Sequence, residues 1–130
     1  SDEELKAAQA VARGICRLFA RNDIWCLPEV PLRNGRRADL MGIDARGQVV
    51  IVEIKVARGD LLGDAKWPDY LDFCDRFYWG LPPALDRAPL DLRVNPLKAD
   101  RDQLARFLVG GDRPVGPAHQ YLGMRDRAAH

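Results

Sequence analysis

The segment Gln48–Ala57, Gln-Val-Val-Ile-Val-Glu-Ile-Lys-Val-Ala, constrains this chain more than any other. Its β-branched apolar residues fall on both faces, the pattern of a central strand. Only Glu53 and Lys55 break the run. They are two residues apart, so both side chains leave the same face of the strand. Burying either charge without a partner costs several kcal/mol, on the order of the penalty for any unpaired buried ion.

The flanking sequence supplies the other elements. Leu5, Ala8, Val11, Ala12, Ile15, Leu18 and Phe19 recur at helical spacing behind Ser1 and Glu4, a capping-box pair, and predict a helix over residues 2–21. From Leu27 the period shortens to two. A first extended segment, Leu27–Leu32, carries Pro28 and Pro31, which suit an edge strand because they cannot donate to a ladder. Asn34-Gly35 is a hairpin signal, Arg36–Asp44 a second strand, and Asp44-Ala45-Arg46-Gly47 the next turn. Residues 59–75 read as helical with a break at Pro68, and Phe77–Leu81 as a fourth strand. Beyond Gly80, which opens a stretch holding six of the nine prolines, one more helix is expected over Ala99–Val109, ended by Gly110-Gly111. Residues 112–130 are expected to form a loose tail.

The turn after the second strand locates a partner for Glu53. With Ala45, Arg46 and Gly47 as a three-residue loop and Gly47 left-handed, Asp44 pairs with Gln48 and Asp39 stands opposite Glu53. Two carboxylates with Cβ atoms about 5 Å apart repel unless a cation lies between them. Hard oxygen donors favour Mg²⁺ or Mn²⁺ over zinc, and the main-chain carbonyl of Ile54 could complete the protein's share of ligands. Lys55 beside such a metal would hold or help deprotonate an attacking water, parts suited to phosphodiester hydrolysis. Glu29 is a further candidate. A two-residue loop at Asn34-Gly35 sets it opposite Leu40, whereas a three-residue loop of Arg33, Asn34 and Gly35 sets it opposite Asp39. The sequence leaves both registers open.

These residues resemble a known group. Arg-Arg-Ala-Asp-Leu at 36–40, followed by Val-Glu-Ile-Lys at 52–55, is similar to the D…ExK core of the PD-(D/E)XK nuclease superfamily. More narrowly, the run from Val11 to Trp79, with Gly-Asp-Ala-Lys-Trp-Pro-Asp-Tyr-Leu and Cys-Asp-Arg-Phe-Tyr-Trp, resembles the MmcB-like DNA repair family over roughly half of the chain. The resemblance implies an α/β fold, a restriction-endonuclease-like α-β-β-β-α-β core with a mixed central sheet flanked by helices. It implies Asp39 and Glu53 as metal ligands and Lys55 as the catalytic lysine. Glu29 matches the acidic residue of the family's first strand, and Asp64, Lys66, Trp67 and Tyr70 match a helix motif beside the site. Lys66 and Tyr70, four apart on a helix, would share one face. After about residue 82 the chain departs from the family's pattern of an apolar strand and a basic C-terminal helix.

Composition narrows the remaining options. At 130 residues the chain is expected to form one domain, with the recognisable core in 1–82 and a divergent part in 83–130. No apolar run reaches the ~18 residues of a membrane span and no signal-peptide pattern opens the chain, so a cytoplasmic location is expected. Cys16, Cys26 and Cys74 form no metal or disulfide pattern and read as reduced core thiols. Net charge is only +1, yet sixteen of the twenty cations are Arg, the residue suited to bidentate phosphate contacts. Arg36, Arg37, Arg58, Lys66 and Tyr70 are the expected DNA contacts. The expected function is Mg²⁺- or Mn²⁺-dependent hydrolysis of DNA phosphodiesters in repair, with other repair proteins as further partners. A DNA-binding or scaffolding subunit with weak or lost catalysis is the alternative, and a pure protein-interaction module a third reading.

Overall fold

The computed structural model describes residues 2–82 and 106–109, the last four and Arg58, Leu61 and Leu62 through their backbone alone. Helix α1 (Asp2–Ala20) buries Val11, Ile15, Leu18 and Phe19, the stripe its sequence periodicity dictates. Asp2, Glu3 and Glu4 occupy its first turn, where negative charge complements the helix dipole.

Three strands follow as an antiparallel meander: β1 (Trp25–Pro31), β2 (Arg37–Ile43) and β3 (Val49–Ile54). The fourth, β4 (Arg76–Leu81), lies parallel to β3. Parallel neighbours require a crossover, here residues 55–75 with helix α2 (Arg58–Gly63) and a 3₁₀ helix (Trp67–Phe73). A fifth strand, β5 (Arg106–Val109), extends the sheet parallel to β4, giving the order β1-β2-β3-β4-β5.

The sheet is covered on both sides, as the apolar run of β3 demands. On one face Leu40, Val50, Val52 and Tyr78 pack against α1. Gly80 faces the same helix, and a Cβ there would stand 2.7 Å from the Ile15 side chain. On the other face Ile51, Phe77, Trp79 and Leu81 pack against Trp67 and Tyr70 of the 3₁₀ helix. Burying each such large side chain contributes about 1.5–3 kcal/mol.

Two expectations need correction. The break expected at Pro68 within 59–75 is present but falls earlier: α2 ends at Gly63 and the chain restarts at Trp67 as a 3₁₀ helix with Pro68 in the first turn, where its missing N–H costs nothing. The helix expected over Ala99–Val109 is contradicted at its end, since Arg106–Val109 is a strand beside β4. A short apolar run such as Phe107-Leu108-Val109 satisfies either period, and the unsatisfied edge of β4 decides for the strand. Residues 99–105 and the tail expected from 112 lie outside the described residues. Among the described residues no helix is long and apolar enough to cross a membrane.

Candidate active site

The site begins with a turn. Gly47 has φ +82°, the left-handed conformation that glycine adopts without strain, and the Asp44 N–H donates to the Gln48 carbonyl at 3.0 Å. The Asp44 carboxylate accepts the N–H groups of Arg46 and Gln48, each at 2.9 Å. This loop sets the register of β2 on β3, with Ile43 opposite Val49 and Leu40 opposite Val52. One further step brings Asp39 to Glu53. There side chains take over the cross-strand bonding: the Asp39 N–H donates to Glu53 Oε1 at 2.9 Å, and the Ile54 N–H donates to Asp39 Oδ2 at 2.8 Å.

The two carboxyl groups thus share a confined space, Glu53 being only 6 % exposed. Burial, and then the charge of Asp39, pushes the Glu53 carboxyl up to about 8. Asp39 is also raised, chiefly by burial, although the bond from the Ile54 N–H opposes it. A pair that resists ionising together is suited to a hard divalent cation, which removes the repulsion. Among the described residues no group of three or more His, Cys, Asp or Glu side chains is gathered to hold a metal. Asp39 and Glu53 are thus the two carboxylates that the β2–β3 pairing brings together.

Glu29 does not join them. The hairpin before β2 uses the three-residue loop: Gly35 has φ +87°, and the Leu32 N–H donates to the Arg36 carbonyl at 2.8 Å. β1 therefore pairs in the register that aligns Glu29 with Asp39. At Glu29, however, φ is +52° and the ladder skips from Pro28 to Val30. Its carboxylate, 70 % exposed, pairs instead with Arg37 at 3.3 Å.

Lys55 lies just past the end of β3, on the carboxylate face. Its Nζ stands 2.7 Å from Asp64 Oδ2 and 5.7 Å from the centroid of the Trp79 ring. Asp64, in the linker between α2 and the 3₁₀ helix, accepts the N–H groups of Lys66 (2.7 Å) and Trp67 (3.0 Å) through Oδ1. Burial opposes its ionisation, but the Lys55 bond and these two N–H groups outweigh it and hold its carboxyl low. The resemblance places Asp64 in a helix motif beside the site, but its pairing with Lys55 is not among the sequence expectations. The available signal was the Asp-x-Lys-Trp-Pro pattern, an Asx turn ahead of a helix start.

The expected DNA contacts divide. Arg36 is held by Asp69, with Nε and Nη2 at 3.1 and 2.9 Å from Oδ2, while Asn34 donates to the Asp69 carbonyl at 2.9 Å. The β1–β2 hairpin tip is thereby tied to the 3₁₀ helix. Arg37 and Lys66 are exposed. The face expected to be shared by Lys66 and Tyr70 does not form, because Lys66 precedes a 3₁₀ helix, whose side chains align at i, i+3. Tyr70 is buried, with its hydroxyl 3.4 Å from the Arg37 carbonyl, and burial followed by the charges of Glu53 and Asp39 pushes it up to about 12. The Arg58 side chain lies outside the described residues.

A family model described as DNA repair protein MmcB-like matches residues 2–94. The chain belongs to this family. The MmcB-like match includes every residue of the carboxylate–lysine cluster. A solved protein of unknown function from Silicibacter pomeroyi is similar in structure, with a TM-score of 0.61 and 27 % identity, over 89 % of this chain and 80 % of that one. No curated protein matches the MmcB-like chain.

Proposed function

We propose that this MmcB-like protein serves DNA repair as a divalent-cation-dependent deoxyribonuclease built on the PD-(D/E)XK pattern. The observation that carries the reading is the facing pair Asp39 and Glu53, joined across two strands and flanked by the Lys55 ammonium. Asp39 and Glu53, with the main-chain carbonyl of Ile54, would hold Mg²⁺ or Mn²⁺. Such a cation, when bound, polarises a phosphoryl oxygen and makes a coordinated water more acidic.

The rest falls to the protein. The cross-strand bonds fix both carboxylates before substrate arrives, so little reorganisation is needed at the reacting phosphate. Lys55 presents N–H donors to an attacking water or a phosphoryl oxygen on the same face. Arg37 and Lys66 are exposed and, with Arg36, would supply charge for phosphates on either side of the scissile bond. Tyr70 is left out of this set because its buried hydroxyl supports β2.

The test is incubation of the purified full chain with Mg²⁺ or Mn²⁺ and single-stranded, duplex, flapped and four-way DNA, beside Asp39→Ala and Lys55→Ala. Cation-dependent cleavage lost in both variants is expected. Cleavage that survives either substitution refutes the catalytic assignment. Salt-sensitive binding without cleavage would favour a DNA-binding or scaffolding subunit.

A further inference from the structure

The contacts around Lys55 form a closed circuit. Lys55 Nζ meets Asp64 Oδ2 at 2.7 Å, and Asp64 Oδ1 is in turn fixed by the N–H groups of Lys66 and Trp67. Trp67 packs tilted against Phe77 and edge-on against Trp79, with ring centroids 5.9 and 6.5 Å away, and Trp79 lies under the Lys55 ammonium at 5.7 Å. Trp79 also pairs with Glu53 in the β3–β4 register. The circuit thus links the crossover, β4 and the strand that carries Glu53.

A lysine has four flexible side-chain bonds and, unrestrained at a strand end, samples many rotamers. Here the ammonium is held between a carboxylate and an aromatic face. The carboxylate is itself largely buried, its side chain only 7 % exposed, so water competes weakly for it. Asp64 is not needed simply to neutralise a buried lysine. Lys55 keeps about a fifth of its side chain exposed (21 %) and could reach water directly. The pairing therefore selects one direction for the ammonium among those open to it.

We propose that Asp64 is a positioning residue that aims the Lys55 ammonium along the Asp39–Glu53 face, a role that rests on the hydrolytic reading of that site. The Asp64 carboxylate is occupied by Lys55 and by the N–H groups of Lys66 and Trp67, so it acts through Lys55. Asp69, on the same crossover, pairs with Arg36 of the β1–β2 hairpin rather than with Lys55 and serves as the control.

Two measurements on the full chain test this. The first is the ¹H–¹⁵N spectrum of the lysine ammonium groups, which does not require activity. Four lysines are present, and the Lys55 resonance is assigned by its disappearance in Lys55→Met. Wild-type protein should show a sharp, slowly exchanging Lys55 signal that is lost in Asp64→Asn and kept in Asp69→Asn. Asparagine retains the acceptor for the Lys66 and Trp67 N–H groups, and a melting curve for each variant checks that the fold survives. The second is cleavage kinetics with Mn²⁺. Asp64→Asn should lower kcat about ten- to a hundredfold while changing KM and Mn²⁺ affinity less than about threefold, and Asp64→Glu should recover part of the loss.

A Lys55 signal unaltered by Asp64→Asn overturns the proposal, as does an unaltered kcat. A fall in kcat with the Lys55 signal intact also overturns it, because Asp64 would then act by another route. If wild-type protein cleaves no DNA, the hydrolytic reading and the catalytic half of this inference fall together. The spectrum still decides whether Asp64 orders Lys55.

Discussion

Replacing Glu53 by Gln removes the carboxyl that burial, and then the charge of Asp39, holds above its ordinary range. Gln keeps an oxygen for the Asp39 N–H, which donates to Glu53 Oε1 at 2.9 Å, and nearly the same volume, so packing is preserved while the charge is removed. The folded-state carboxyl of Glu53 is raised from 4.5 to about 8, so the folded chain retains a proton that the unfolded chain releases. The stabilisation from that proton is fully present below about pH 4.5 and is lost as the pH rises through about 8. At ~1.4 kcal/mol per pH unit, wild-type protein should lose on the order of 3 kcal/mol between pH 5 and pH 8 that Glu53→Gln does not. Urea unfolding followed by tryptophan fluorescence, with a chelator present, measures the difference. At pH 5 the two proteins should agree within ~1 kcal/mol, and at pH 8 the variant should be the more stable. Added Mn²⁺ should then restore wild-type stability at pH 8 and leave the variant unchanged. Parallel pH profiles for the two proteins would refute the reasoning, since burial and the charge of Asp39 would then not raise the Glu53 carboxyl.

Glu29→Gln should leave the Mn²⁺ dissociation constant within about threefold of wild type by calorimetric titration, because the Glu29 carboxylate pairs with Arg37 at the surface. A tenfold weakening would return Glu29 to the metal site. Trp67→Ala should cost about 3–5 kcal/mol in urea unfolding, because Trp67 is buried against Phe77 and Trp79 and anchors the 3₁₀ helix to the sheet. A loss below ~1 kcal/mol would mean that the anchor lies elsewhere.

Much of the carboxylate pair is legible without coordinates because its determinants are local. The turn Asp44–Gly47 demands a left-handed residue at one place, glycine stands there, and the period of two carries the consequence up both strands to Asp39 and Glu53. Glu29 shows where such reasoning stops. The loop of Arg33, Asn34 and Gly35 aligns it with Asp39, yet one residue at φ +52° and a surface arginine turn the carboxylate away. Strand β5 was misread for a related reason. Its residues satisfy two periodicities, and the choice belongs to the open edge of β4.

The sequence by itself determined α1, the central place of β3, the facing of Asp39 on Glu53 and the presence of Lys55 on their face. Each follows from backbone geometry repeating over a few residues. Only the tertiary structure decided that Glu29 stays outside, that Tyr70 is buried and that Asp64 grips Lys55. Those outcomes depend on how a crossover settles against a sheet, where residues separated along the chain compete for the same partner, and no local period encodes the winner.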